Sequence, residues 1–284
     1  MAYTSFADLL HAAQEHGSIA AAAVHLESLE SGHSPAELRE RMRETLAVMR
    51  AAVEEGRTGS PRSRSGLTGG DAARLHDAPV GPLGHEFAGA LASALAVAEV
   101  NAAMGRIVAA PTGGASGVLP GVLLTLAERA GAGEDAVLDA LFTAAAVGGI
   151  IAARASLSGA AGGCQAEIGS AAAMAAAAGI ALLGGAPEVS GHAASLAMQG
   201  LLGLVCDPVG GLVEVPCVAR NATGTAVALA AIEMALAGIT FPIPFDEVVD
   251  ASASVGRSLP PSLRETAIGG LAGTPTAREL TRRD

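Results

Sequence analysis

The 284-residue sequence contains no lysine; all 17 of its basic residues are arginines. A pyridoxal-phosphate enzyme needs a lysine for its internal Schiff base, and a P-loop needs one against the phosphates, so both classes are excluded. Lysine general bases and Schiff-base aldolases go with them. Tryptophan is absent, tyrosine occurs once, and aromatics make up 2% of a chain that is 50% apolar. Such a core must be built from Ala, Val, Leu, Ile and Gly. That is the composition of closely packed helices, because small side chains let helix axes approach and Ala has the highest helix propensity. The net charge of −11 leaves no electrostatic footprint for nucleic acid or for an anionic membrane surface.

The N-terminal "MAYTSFADLLHAAQEHG" lacks the basic-then-apolar pattern of a signal peptide. The apolar run 136–153 is interrupted by Asp139, and 226–243 by Glu233 and Pro242. Both are therefore expected to be buried core helices, with no membrane association. The expected location is cytoplasmic, where cysteines stay reduced and structural disulfides are not formed.

What is present reads as an all-α fold. A first helix is expected from Phe6 to about Gly17. Ser34 and Glu37 form a capping box with Pro35 at the first helical position, and Leu38, Met42, Leu46, Met49 and Val53 make one apolar face. The Arg and Glu residues of 37–57 read as a solvated face. A Gly/Ser/Pro-rich loop over 57–70 follows. Residues 1–57 thus form peripheral N-terminal helices, and 65–284 a core, of a single catalytic domain. Further helices are expected near 84–105, 119–131, 134–154, 167–182, 187–202, 220–237, 245–257 and 260–267. Between them lie glycine-rich breaks: "APTGGASG" at 110–117, "SGAAGGC" at 158–164 and "GLVCDPVGGLVEVPC" at 203–217. Glycine lets backbone N–H groups approach a ligand, so the functional centre is expected where these breaks converge.

All three cysteines, Cys164, Cys206 and Cys217, fall at these breaks. Singly, each reads as well as a small buried hydrophobe. A structural zinc is a poorer fit, since it wants four ligands and close pairs, and His192 reads as an ordinary helix residue. Three thiolates on a [4Fe–4S] cube fit better in count and softness, and leave one iron open as a Lewis acid. Thr112, Gly113, Gly114 and Ser116 of the first break read as a cradle for an anionic group of a substrate, with a tight helix–helix turn as the plainer alternative. Asn101 reads equally as a substrate ligand or an interhelical hydrogen bond. Asp71 and Glu167 are acid–base candidates, with helix capping and dipole complementation as their plainer alternatives.

The segments "SGLTGGDAARL" (65–75), "AVAEVNAAMGRIVAAPTGGASGVLPGVL" (96–123), "SLSGAAGGCQAEIGSAAAMAAAA" (156–178), "GLVCDPVGGLVEVPCVARNATG" (203–224), "ALAGITFPIPFDEVVDA" (235–251) and "LRETAIGGLAGTPTAREL" (263–280) carry a resemblance over essentially the whole chain. It resembles the α chain of the two-subunit, iron–sulfur-dependent bacterial L-serine dehydratases. The resemblance implies a helical catalytic subunit that converts L-serine to pyruvate and ammonia without pyridoxal phosphate. Cys164, Cys206 and Cys217 correspond to the ligands of a [4Fe–4S] cluster.

Single-chain members carry a further N-terminal portion with a "GSPSSHT"-type segment, whose histidine is thought to act in catalysis. Here "GSPRSRSG" (59–66) has no histidine. Some members also end in a cysteine-bearing tail, whereas this sequence ends "TARELTRRD". The implied partner is a β subunit, in an α–β hetero-oligomer; the alternative assembly is a homodimer acting alone. The alternatives are a related lyase acting on threonine or cysteine, and a non-catalytic iron–sulfur sensor.

Overall fold

The computed structural model describes residues 3–59, 61–79 and 81–282. Among them there is no strand; the chain is helical, with one isolated bridge between Cys206 and Arg264. Serine caps set the N-terminal helices. Ser5 Oγ accepts from the Asp8 N–H ahead of α1 (Phe6–His16), and Ser18 Oγ from the Ala21 N–H ahead of α2 (Ile19–Ser31). Both end at glycines in the left-handed conformation, Gly17 (φ 88°) and Gly32 (φ 74°). The capping box of Ser34 and Glu37 forms as expected and opens α3 (Pro35–Thr58). Helix α2 was not foreseen, because its alanine-rich run offers little contrast between faces.

The centre of the molecule is α9 (Ser170–Leu182), buried on every side except at Ala181. A helix apolar all round belongs inside a helical bundle. Around it pack α6 (Val118–Ala130), α7 (Glu134–Arg154), α10 (Pro187–Gln199) and α11 (Cys217–Leu236). Close approach depends on missing side chains: a Cβ at Gly179 would collide with Ile232, and one at Gly148 would lie 3.0 Å from Met174. Helices α5 (Gly84–Ala102) and α12 (Phe245–Ser258) complete the surround, and the short α4 (Asp71–His76) lies on α5. Two helical stretches, Glu134–Arg154 and Gln165–Leu182, are long and apolar enough to cross a membrane. Their apolar windows are 61% and 89% buried in the fold.

The N-terminal helices contribute Phe6, Leu9, Leu46 and Met49 to the same apolar cluster as α6, α7, α9 and α10. The polar face of α3 is only partly left to solvent. Arg39 pairs with Asp135 (3.0 Å) and Asp139 (2.6 Å), and Arg43 and Arg50 pair with Glu134, tying α3 to α7.

The helix expected over 260–267 does not form. Pro261–Leu263 make a single 3-10 turn, after which the backbone turns left-handed at Glu265 (φ 61°) and Ala267 (φ 54°). The hydrogen bonds that a helix would make internally run instead to another segment. The Cys206 N–H donates to Leu263 O (2.9 Å), and the Glu265 N–H to Cys206 O (2.7 Å). Beyond it the chain ends in the short α13 (Pro275–Leu280).

Candidate functional site

Three junctions deliver the three cysteines. Cys164 follows the short α8 (Gly159–Gly162) and enters a wide π turn, Gln165–Gly169, that leads into α9. Cys206 lies in the extended link after α10, and Cys217 is the first residue of α11, three residues earlier than the expected helix start. All three are buried and none is paired in a disulfide. Each thiol lies within electrostatic reach of Glu167, and Cys206 and Cys217 within reach of Cys164. The sulfurs therefore converge.

Burial, foremost, pushes the thiols toward the neutral form. Cys164 rises to about 11, with the Glu167 charge adding and Arg220 opposing; Cys217 rises to about 12 through burial and then Cys164. Cys206 is raised most, by burial, then Cys164 and Glu167. Without a cation the thiols stay protonated; a metal that binds them must displace three protons.

Glu167 stands in the π turn beside them. Its Oε1 accepts from the Thr112 hydroxyl at 2.7 Å. Burial holds its pKa above the ordinary carboxylate value; the Thr112 bond works in the opposite sense. Gly159 faces both groups: a Cβ there would lie 2.7 Å from Glu167 Oε2 and 2.9 Å from Cys206 Sγ. The glycine thus lets the α8 backbone pack directly against a thiol and a carboxylate.

The 110–117 loop closes the other side. It starts at a cis Ala110–Pro111 bond and makes a 3-10 turn at Gly113–Ala115 before α6. Asn221, fully buried on the first turns of α11, holds it there. Its Oδ1 accepts from the Gly117 N–H (2.8 Å), while its Nδ2 donates to Gly114 O (2.7 Å) and Cys217 O (2.9 Å). The loop is therefore registered directly against a cysteine. Gly114 lies against Glu167, and Asn101 lies behind Gly113, its Oδ1 3.2 Å from where a Cβ would stand. Ser116 is turned inward, its hydroxyl donating to Gly113 O at 2.8 Å, so it shapes the turn.

Of the residues singled out from sequence, the fold thus joins Cys164, Cys206, Cys217, Glu167, Thr112, Gly113, Gly114 and Asn101 in one neighbourhood. Asp71 is placed otherwise. It opens α4, is exposed, and pairs with Arg74 at 2.9 Å. The buried carboxylate in that region is Glu99, which accepts from the N–H groups of Gly70 (3.1 Å), Asp71 (2.7 Å) and Ala72 (3.4 Å). His192 accepts from the Phe241 N–H and is a helix residue, as expected.

Several residues of the site were not foreseen. Arg220, one turn beyond Cys217, lies within electrostatic reach of the Cys164 thiol, pairs with Asp207 at 2.8 Å and donates to Val205 O at 2.9 Å. One guanidinium thereby reaches all three cysteine-bearing segments. Its i, i+3 spacing from Cys217 was the available signal. Glu214, buried between Cys206 and Cys217, accepts from the Ser63 hydroxyl (2.7 Å), the Ser65 N–H (3.1 Å) and the Ser65 hydroxyl. It docks the 63–68 loop onto the cysteine segment. Asp207 Oδ2 accepts from the Leu271 N–H at 2.7 Å and anchors the C-terminal stretch.

No three His, Cys, Asp or Glu side chains among the described residues converge tightly enough for a single metal ion. An iron–sulfur cube makes a different demand, since each thiolate bonds its own iron and the ligands stand further apart. The soft donor set and the shared neighbourhood of the thiols fit such a cluster. A separate cavity of about 350 Å³ between α2, α3 and α7 is lined by Tyr3, Leu26, Arg41 and Phe142 among others, and by none of these residues.

Comparison with known proteins gives one consistent result. The model of the family "Serine dehydratase alpha chain" matches residues 14–272. A "Probable L-serine dehydratase, alpha chain" of Bacillus subtilis is 51% identical over 250 residues, 86% of this chain and 82% of its own length. The "L-serine dehydratase, alpha chain" of Peptoniphilus asaccharolyticus is 42% identical over 260 residues, covering 90% of this chain and 89% of that one. A longer "L-serine dehydratase" from Streptomyces coelicolor is 39% identical over 93% of this chain, which spans 59% of it.

Proposed function

The chain belongs to the serine dehydratase alpha chain family, and we propose that it is the catalytic α subunit of an L-serine dehydratase, forming pyruvate and ammonia. The observation that carries the reading is the convergence of three buried thiols from three glycine-marked junctions on one carboxylate, Glu167. Cys164, Cys206 and Cys217 would hold a [4Fe–4S] cluster. When bound, that cluster supplies a Lewis acid for the departing hydroxyl.

The chain's own residues account for the rest. The backbone N–H groups of Gly113 and Gly114, in a loop that Asn221 holds in register, bind the substrate carboxylate. Asn101 sets that loop from behind at Gly113. Glu167, steadied by Thr112 at 2.7 Å, takes the α-proton. Burial raises its proton affinity, which suits a group that must accept a proton from carbon and then release it. Loss of that proton and of hydroxide leaves aminoacrylate, which tautomerises to an imine and takes up water to give pyruvate and ammonia. Asp71, exposed and paired with Arg74, is assigned no proton transfer. A β subunit is the proposed partner and the cytoplasm the proposed location.

The test is anaerobic reconstitution with iron and sulfide, with and without a β chain. Added L-serine should perturb the Mössbauer signal of one iron and yield pyruvate. Cys206→Ser should abolish both. Unchanged spectra and no pyruvate even with the partner present would overturn the dehydratase reading in favour of a sensor. Turnover of threonine or cysteine in place of serine would correct only the substrate.

A further inference from the structure

Gln165 follows Cys164 directly and is buried, yet its side chain has no part in the chemistry above. Both ends of its amide are bonded. Its Oε1 accepts from the Gly203 N–H at 2.7 Å, and its Nε2 donates to Ser252 O of α12 at 2.8 Å. Its backbone N–H donates to Leu204 O at 3.0 Å. Gly163, on the other side of Cys164, presses against the same strand: a Cβ there would lie 2.8 Å from Leu204 O.

Two of these bonds close a ring between the residue after Cys164 and the residues three and two before Cys206. A slide of either segment past the other breaks both. The third bond fixes the ring to α12, where Gly256 comes so close that a Cβ would stand 3.1 Å from Gln165 Nε2. The position calls for an amide, which donates once, accepts once and carries no charge. A carboxylate would have no N–H for Ser252 O and would add an anion beside three thiols. An apolar side chain of the same length would leave the Gly203 N–H and Ser252 O without this partner.

We propose that Gln165 is a positioning residue that fixes Cys164 against Cys206, so that the fold, and not the cluster, sets the spacing of these two thiols. This rests on the reading of the three cysteines as cluster ligands. Groups that orient metal ligands change metal affinity by about 10- to 100-fold when they are removed.

The test sets Gln165→Met beside Leu46→Ala, which empties part of the core in α3. Both should melt below the wild type. After anaerobic reconstitution, Gln165→Met should lose iron to an excess of ferrous chelator about tenfold faster than the wild type. Leu46→Ala should lose it at the wild-type rate. Equal acceleration in the two variants would make iron loss a matter of stability alone and overturn the proposal. A Gln165→Met protein that keeps its iron as the wild type does would overturn it too, with the cluster reading intact. If the methionine variant does not fold, Gln165→Asn takes its place. Its amide is one methylene shorter and cannot span Gly203 and Ser252, so the same acceleration is expected, and wild-type retention overturns the proposal. A wild-type protein that takes up no iron–sulfur cluster defeats this inference and the cluster reading together.

Discussion

Arg39 and Arg220 each clamp separate parts of the chain through carboxylates, but in different surroundings. Arg39 reaches from α3 to Asp135 and Asp139 on α7 with its partners half or more in solvent. Arg220 meets Asp207 with side chains 14% and 3% exposed, donates to Val205 O and lies within electrostatic reach of the Cys164 thiol. Coulomb attraction is screened in the first setting and barely screened in the second. The peripheral pair secures helices whose apolar faces already pack. The buried pair orders loops that have little else to order them.

The largest expected effect lies on the buried side. Arg220→Met leaves Asp207 as an uncompensated buried charge and should cost about 3 kcal/mol or more in chemical denaturation. It should also lower the iron content of reconstituted protein. Adding Asp207→Asn should recover part of the stability but not the iron, because the guanidinium within reach of Cys164 is still missing.

An intermediate effect is expected at Glu99. Burial holds its pKa above that of an ordinary glutamate, so the folded state binds a proton that the unfolded chain releases. Wild-type stability should therefore fall as pH rises from about that value through the folded-state pKa. Glu99→Gln should flatten this part of the profile, visible as a denaturation midpoint that no longer drops over the window. A steeper fall in the variant would show that the three N–H bonds outweigh burial.

The smallest effect belongs to the periphery. Arg39→Ala should change stability by under about 1 kcal/mol, and less still at high salt. A loss comparable with that of Arg220→Met would break the contrast and make α3 an electrostatically held element.

The fold was legible wherever an element carries its own signals. The capping box at Ser34 was enough to start α3, and the glycine at position 17 to end α1. The stretch 260–267 looked helical by composition. It failed because its backbone groups bond the Cys206 segment, a partner more than fifty residues away. The candidate site divided in the same way. The cysteines, Glu167 and the 112–116 loop stood out by residue type at glycine-rich breaks. Arg220, Asn221, Glu214 and Asp207 did not, since a polar residue near a helix start reads locally as solvated.

By itself the sequence determined the helical class and the inventory of groups available for chemistry. It has no lysine for a Schiff base, three thiols with soft-metal affinity, and an alanine- and glycine-rich core that only close-packed helices can fill. Tertiary structure decided which carboxylates meet those thiols. Asp71 and Glu167 look alike as motif residues. The π turn points Glu167 toward Cys206 beside Gly159, while α4 presents Asp71 to solvent and Arg74. The role of a charged side chain depends on its burial and its neighbours, and those are properties of the packed chain.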